Sequence, residues 1–67
     1  MKTIYKSRTG EHVFDSEQGY LGFMIDGRKI SHRLETNGVA IVPFMQPTKE
    51  VDDLFDRLGF KKVVTKD

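Results

Sequence analysis

The sequence predicts a small α+β domain, in which an antiparallel β-sheet is followed by one C-terminal helix. Two hairpin signals, Asp26-Gly27 and Asn37-Gly38, each separate two strand-like segments within residues 19–44. A type I′ turn needs positive φ at both central residues, which Asp-Gly and Asn-Gly tolerate well. Residues 48–58 predict a helix, with an apolar face at helical spacing that consists of Val51, Leu54, Phe55 and Leu58. These observations predict three core strands in an antiparallel β-meander, with the helix packed on one face.

The two turns also set a strand register. The first turn pairs Ile25 with Arg28, and the second pairs Thr36 with Val39. Side chains alternate between faces along a strand, and paired residues share a face. Both turns send aliphatic side chains to the same side, which we expect to be the core face under the helix. That face would carry Leu21, Phe23, Ile25, Ile30, His32, Leu34, Val39 and Ile41.

An additional hairpin is expected at the N-terminus. Residues 3–7 are rich in β-branched and aromatic side chains, and Thr9-Gly10 provides a turn toward the short segment 12–14. Val13 and Phe14 are adjacent apolar residues, so this segment does not alternate cleanly between polar and apolar positions.

The C-terminal helix has recognisable signals at both ends. Thr48 is a suitable N-cap, and acidic residues follow in the first turn, where the helix dipole favours negative charge. Gly59 fits the left-handed position after the helix, and Phe60 can then contact Phe55 in a Schellman ending. Residues 61–65 contain two adjacent valines, which are typical of β-strands, so we expect a last strand there.

Length and composition limit the classes of protein to which the chain can belong. Its 67 residues suit a single domain, residues 1–67. The absence of cysteine excludes disulfides and thiolate metal sites, and no apolar run resembles a signal peptide or a membrane span. The 11 basic and 10 acidic side chains give a net charge of +1, which demands neither nucleic acid nor membrane as a partner. We therefore expect a cytoplasmic protein.

No catalytic, metal-binding or cofactor-binding motif is visible in the sequence. No serine lies in a nucleophile motif, and the glycines do not form a phosphate-binding loop. His12 has no second ligand at a metal-binding spacing, and Asp15 with Glu17 falls far short of a calcium loop. We expect a protein that is not an enzyme and that uses no metal or cofactor.

The outer sheet face is the predicted binding site. A solvated face should be polar, but this one interleaves apolar and aromatic side chains with basic ones. Tyr20 lies opposite Arg33 in the predicted register, where a ring and a guanidinium can stack. The structural alternative is that the N-terminal hairpin or the C-terminal segment covers this face. The predicted site consists of Tyr20, Met24, Lys29, Arg33, Val42 and Phe44.

Two functions are compatible with such a face. The first is non-catalytic association with another protein or with a second copy of the chain, since aromatic residues and arginine are enriched in interface cores. The alternative is binding of DNA or RNA, with rings that stack on bases and with Lys29 and Arg33 that contact phosphates. Certain DNA-binding modules also combine a three-stranded meander with one helix, although this is an analogy of fold alone. The balanced charge favours the protein partner.

Overall fold

Within residues 1–66, the range that the computed structural model describes, the chain forms seven strands and one helix. Asp67, which closes the predicted domain, lies outside the described residues. The predicted α+β class is confirmed, although there are more strands than the three core strands expected. In chain order the elements are β1 (Lys2–Lys6), β2 (Glu11–Asp15), β3 (Gly19–Ile25), β4 (Arg28–Ser31), β5 (Leu34–Thr36), β6 (Val39–Ile41), α1 (Lys49–Arg57) and β7 (Lys61–Thr65).

Five of the strands form one antiparallel sheet in the order β4-β3-β2-β1-β7. Strands β1 to β4 form a meander, and β7 returns to pair with β1. The N-terminal hairpin and the last strand are therefore confirmed, with Tyr5 paired both to His12 on β2 and to Lys62 on β7. Strands β5 and β6 form a separate two-stranded sheet.

Both predicted turns are present. Asp26 and Gly27 have φ values of 52° and 76°, and Asn37 and Gly38 have φ values of 52° and 78°. Positive φ at both central positions is the signature of a type I′ turn. The register next to each turn is also as predicted, because the last residue of β3 pairs with the first of β4, and the last residue of β5 pairs with the first of β6.

The predicted three-stranded meander is wrong between the two turns. The Ser31 hydroxyl accepts a hydrogen bond from the Arg33 amide at 3.3 Å and donates one to the Arg33 carbonyl oxygen at 2.7 Å. A serine side chain that bonds to nearby backbone in this way competes with the sheet ladder. Strand β4 therefore ends at Ser31, and His32 is exposed rather than part of the core.

A β-bulge in β3 overturns the predicted division into two faces. Val13 pairs with Gly22, but Phe14 pairs with Tyr20, so Leu21 is the extra residue of the bulge. A bulge changes the alternation of side chains along its strand. As a result Tyr20, which was predicted on the outer face, points into the core with Phe14.

The predicted aliphatic face is only partly the core face. Ile41 is fully buried, and Leu34 and Val39 pack against the core cluster. Ile30 is 59% exposed, because it is the unpaired residue at the second register shift, between β3 and β4. The observed core cluster is dominated by aromatic side chains and consists of Tyr5, Phe14, Tyr20, Ile41, Val51 and Phe55.

The rings of this cluster bind the helix to the sheet. The Tyr5 ring lies edge-on to Phe14 at a centroid distance of 5.7 Å and tilted against Phe55 at 4.7 Å. Val51, Leu54 and Phe55 form the buried face of α1, as the apolar spacing predicted, whereas Leu58 of the same predicted face is the C-cap and is 48% exposed. Burial of each such side chain contributes about 1.5–3 kcal/mol to folding.

The helix ends are also as predicted. The Thr48 side chain accepts a hydrogen bond from the Val51 amide at 3.2 Å. At the C-terminus the Gly59 amide donates to the Asp56 carbonyl at 3.1 Å, and the Phe60 amide donates to the Phe55 carbonyl at 2.8 Å. These two bonds define a Schellman motif. No helix within residues 1–66 has the length and apolar character needed to cross a membrane.

Candidate functional site

His12 is the buried polar residue of the core. It is 4% exposed, and the centroid of its ring lies 4.5 Å from that of Phe23 and 4.7 Å from that of Phe55. Its Nδ1 is 2.8 Å from the Tyr20 hydroxyl, so the two polar groups satisfy one another. Burial lowers the pKa of His12 to about 4 and raises the pKa of Tyr20 to about 12, because desolvation disfavours each charged form. Both side chains are therefore neutral near pH 7, and both are packed inside the core.

A second polar contact joins the helix to the edge strand β7. The Tyr5 hydroxyl donates a hydrogen bond to Asp52 Oδ1 at 3.0 Å, and Lys62 Nζ lies 3.2 Å from the same oxygen. The hydrogen bonds from Lys62 and Tyr5 lower the pKa of the Asp52 carboxyl, whereas burial and the nearby carboxylate raise the pKa of Tyr5. Within residues 1–66 no group of three or more histidine or acidic side chains could hold a metal ion.

The six residues of the predicted site lie in different environments. Tyr20 is 3% exposed, so the predicted stack on Arg33 is wrong; the bulge at Leu21 turns its ring into the core. Met24 is partly buried and pairs with the exposed Lys29, and alternation along the sheet puts both on the face opposite the helix. The other three residues are exposed and lie outside the strands: Arg33, Val42 and Phe44.

An open groove brings half of the predicted site together. It has a volume of about 390 Å³, and we call it the Phe44 groove. Tyr20, Lys29 and Phe44 line it, whereas the other three predicted residues do not. Sequence reasoning missed the remaining lining residues, because they became neighbours only through the bulge and through the loop after β6. The lining of the Phe44 groove is Gln18, Tyr20, Leu21, Lys29, His32, Pro43 and Phe44.

Phe44 has an unusual backbone conformation. Its φ is 71°, and its side chain is 83% exposed. A left-handed conformation costs a residue with a side chain about 1–2 kcal/mol, and in bulky residues it is a genuine outlier. Surrounding structure must hold such a residue in place.

Gly19 allows the Phe44 backbone to approach β3 closely. A Cβ atom at position 19 would lie 2.3 Å from the Phe44 carbonyl carbon, far inside van der Waals contact. Gly19 itself has a φ of 78°, which glycine adopts without cost. The loop at Phe44 therefore rests directly on the start of β3.

Gln46 fastens the other side of the same loop. Its Nε2 donates hydrogen bonds to the carbonyl oxygens of Asp15 at 3.0 Å and Ser16 at 3.1 Å. The Met45 amide also donates to the Val42 carbonyl at 3.3 Å, which closes a turn around Phe44. The exposed ring is thus carried by a loop that is held on both sides of residue 44.

One signal in the sequence could have pointed to this groove. Gly22 interrupts a strand pattern, and an isolated glycine in a strand often marks a bulge or a close approach of backbone. A bulge after Tyr20 would have placed that ring in the core and Leu21 at the groove. No comparable signal marks the hydrogen bonds of Gln46.

Comparisons with known proteins identify no relative of this chain. No model of a protein family matches the chain. No curated protein and no solved structure matches it either. A functional proposal for this chain therefore rests on its own surface chemistry.

Proposed function

We propose that this chain is a non-catalytic protein-interaction module that binds its partner through the Phe44 groove and the adjoining exposed Val42. The observation that carries the proposal is Phe44, a large aromatic side chain that is 83% exposed on a left-handed backbone. Strained backbone conformations concentrate at functional sites. The cytoplasmic location expected from the sequence belongs to this proposal as well.

The exposed ring contributes little to folding, although the turn that the Met45 amide closes holds the Phe44 backbone in its left-handed conformation. Phe44 is not part of the core cluster, and its strain disfavours the folded state. An aromatic ring held in a fixed place suits binding, because less conformational freedom is lost on association. Aromatic anchors of this kind often dominate the affinity of protein interfaces.

Full burial of the Phe44 ring sets the upper limit of its contribution to the binding free energy. Burying a phenylalanine side chain fully stabilises a complex by about 1.5–3 kcal/mol. Replacement by serine in Phe44→Ser should therefore weaken binding by about tenfold to a hundredfold. The fold should be nearly unaffected, because the side chain is outside the core.

Quantitative affinity capture from an extract of the source organism tests the proposal with three immobilised proteins. These are the wild type, Phe44→Ser, and the matched control Leu58→Ser, whose side chain is 48% exposed but does not line the groove. We expect the same partner on the wild type and the control, and its loss on Phe44→Ser. Equal capture by all three proteins would contradict the proposal.

Sedimentation velocity across a concentration series examines the case in which the partner is a second copy of the chain. Self-association through the groove should appear as a rising sedimentation coefficient that Phe44→Ser abolishes and Leu58→Ser preserves. A monomer at every concentration, together with no groove-dependent capture, would overturn the proposal.

Binding of nucleic acid is the second candidate, and a run of basic residues favours it. Arg28, Lys29, His32 and Arg33 are exposed within six residues that include no acidic one. The nucleic-acid hypothesis predicts an affinity that falls steeply with salt concentration, because phosphate contacts release counterions. Lys29→Ala and Arg33→Ala should each lower the salt slope by about one in fluorescence-anisotropy titrations with mixed-sequence oligonucleotides. No binding at tens of micromolar protein and low salt would remove this candidate.

A further inference from the structure

The lining of the Phe44 groove carries positive charge. Lys29 is its charged side chain, and Tyr20 is held as a neutral phenol. No acidic side chain within residues 1–66 lines the groove. Arg33, one residue after His32, is also exposed.

The apolar part of the groove adjoins this charged group. Leu21, Pro43 and Phe44 supply apolar lining on the same groove as the Lys29 ammonium. The Lys29 stem also lies against the backbone of β3, since a Cβ atom at Gly22 would be 3.0 Å from Lys29 Cε. The absence of a side chain at position 22 therefore provides the space that the lysine stem occupies beside the groove.

We infer that the partner presents an acidic segment to this groove, with an apolar side chain against Phe44 and an aspartate or glutamate beside it that pairs with Lys29. This inference rests on the proposed function and adds the chemical class of the partner segment. Charge complementarity supports it, because opposite charges at an interface steer association and select the partner. A basic or neutral segment would leave the Lys29 ammonium unpaired.

Selection from a random peptide display library tests the inference without knowledge of the natural partner. Twelve-residue peptides would be selected on the wild-type protein and depleted on Phe44→Ser, so that the surviving sequences depend on the ring. We expect these sequences to combine an apolar residue with an excess of aspartate and glutamate. Groove-dependent sequences with no acidic excess would overturn the inference and leave the proposed function standing. A library from which no peptide depends on Phe44 would overturn both.

A charge reversal then tests the named contact with one selected peptide as probe. Lys29→Glu should raise the Kd of that peptide at least tenfold, whereas the matched control Lys49→Glu, at an exposed lysine on the first turn of α1, should leave it nearly unchanged. Replacing the peptide's acidic residue by lysine should restore binding to Lys29→Glu. An unchanged Kd for Lys29→Glu would contradict the assignment, as would tighter binding of an oligonucleotide than of any selected peptide.

Discussion

Lowering the pH should destabilise the fold through His12, which is buried among aromatic rings. Its pKa is 6.5 in an ordinary environment and falls to about 4 in the folded protein, because burial disfavours the charged ring. Between these two values the unfolded chain binds a proton that the folded chain does not. Folding stability is therefore fully present above pH 6.5 and is lost as the pH falls toward 4.

The size of the loss follows from that window. Each pH unit within it changes the free energy of unfolding by about 1.4 kcal/mol. Between pH 7 and pH 5 the expected loss is at most about 2 kcal/mol, a substantial part of the total for so small a domain. The pKa of the Asp52 carboxyl is lowered below its usual value of 3.8. Protonation of this carboxyl therefore changes the folding stability only at a pH below the range from 7 to 5.

Urea unfolding at a series of pH values between 7.5 and 5 measures the effect directly. The variant His32→Gln is the matched control, because it removes the exposed histidine and should show the same loss. A histidine NMR titration should find that His12 does not gain its proton above pH 5. A His12 pKa near 6.5, or a stability that does not change across the range, would refute the reasoning.

Three further substitutions test the packing and the loop geometry. Leu54→Ala should cost about 2–5 kcal/mol in chemical denaturation, whereas Leu58→Ala at the exposed C-cap should cost less than about 0.5 kcal/mol; similar losses would show that the helix is docked differently. Thr48→Ala should cost about 1 kcal/mol by removing the N-cap, and an unchanged unfolding midpoint would contradict that role. Gly19→Ala should destabilise the fold and shift the backbone NMR signals of Phe44, since the added Cβ would overlap its carbonyl carbon; unshifted signals would contradict the close approach.

Local signals in the sequence were sufficient for the turns and the helix. Asp26-Gly27 and Asn37-Gly38 have the expected positive φ, and both ends of α1 have the expected caps. In each case the determining residues are neighbours in the chain, so their chemistry can be read directly from a short segment. The same holds for the register next to each turn.

The assignment of faces failed because it depended on uninterrupted alternation. The bulge at Leu21 moved Tyr20 from the predicted outer face into the core. The hydroxyl of Ser31 ended β4 before it could continue toward β5. One extra residue in a strand is enough to exchange its faces, and strand alternation alone does not locate that residue.

The candidate site was predicted only in part, because some of its contacts join residues that are far apart in the chain. Lys29 and Phe44 do line the groove, but the hydrogen bonds of Gln46 join residues about thirty positions apart in the chain. Such long-range contacts have no periodic signature in the sequence. The left-handed backbone of Phe44 was also missed, since phenylalanine does not favour that conformation and Pro43 before it indicates a turn without fixing the turn type.

Site-specific photo-cross-linking in an extract of the source organism tests the binding role of Phe44 most directly. A photoreactive benzoylphenylalanine would replace Phe44 in one protein and Leu58 in a matched control. We predict a discrete cross-linked protein from position 44 only, and its loss when Lys29→Glu is added to the same chain. The absence of any product specific to position 44, or the same products from both positions, would contradict a partner-binding role for the groove.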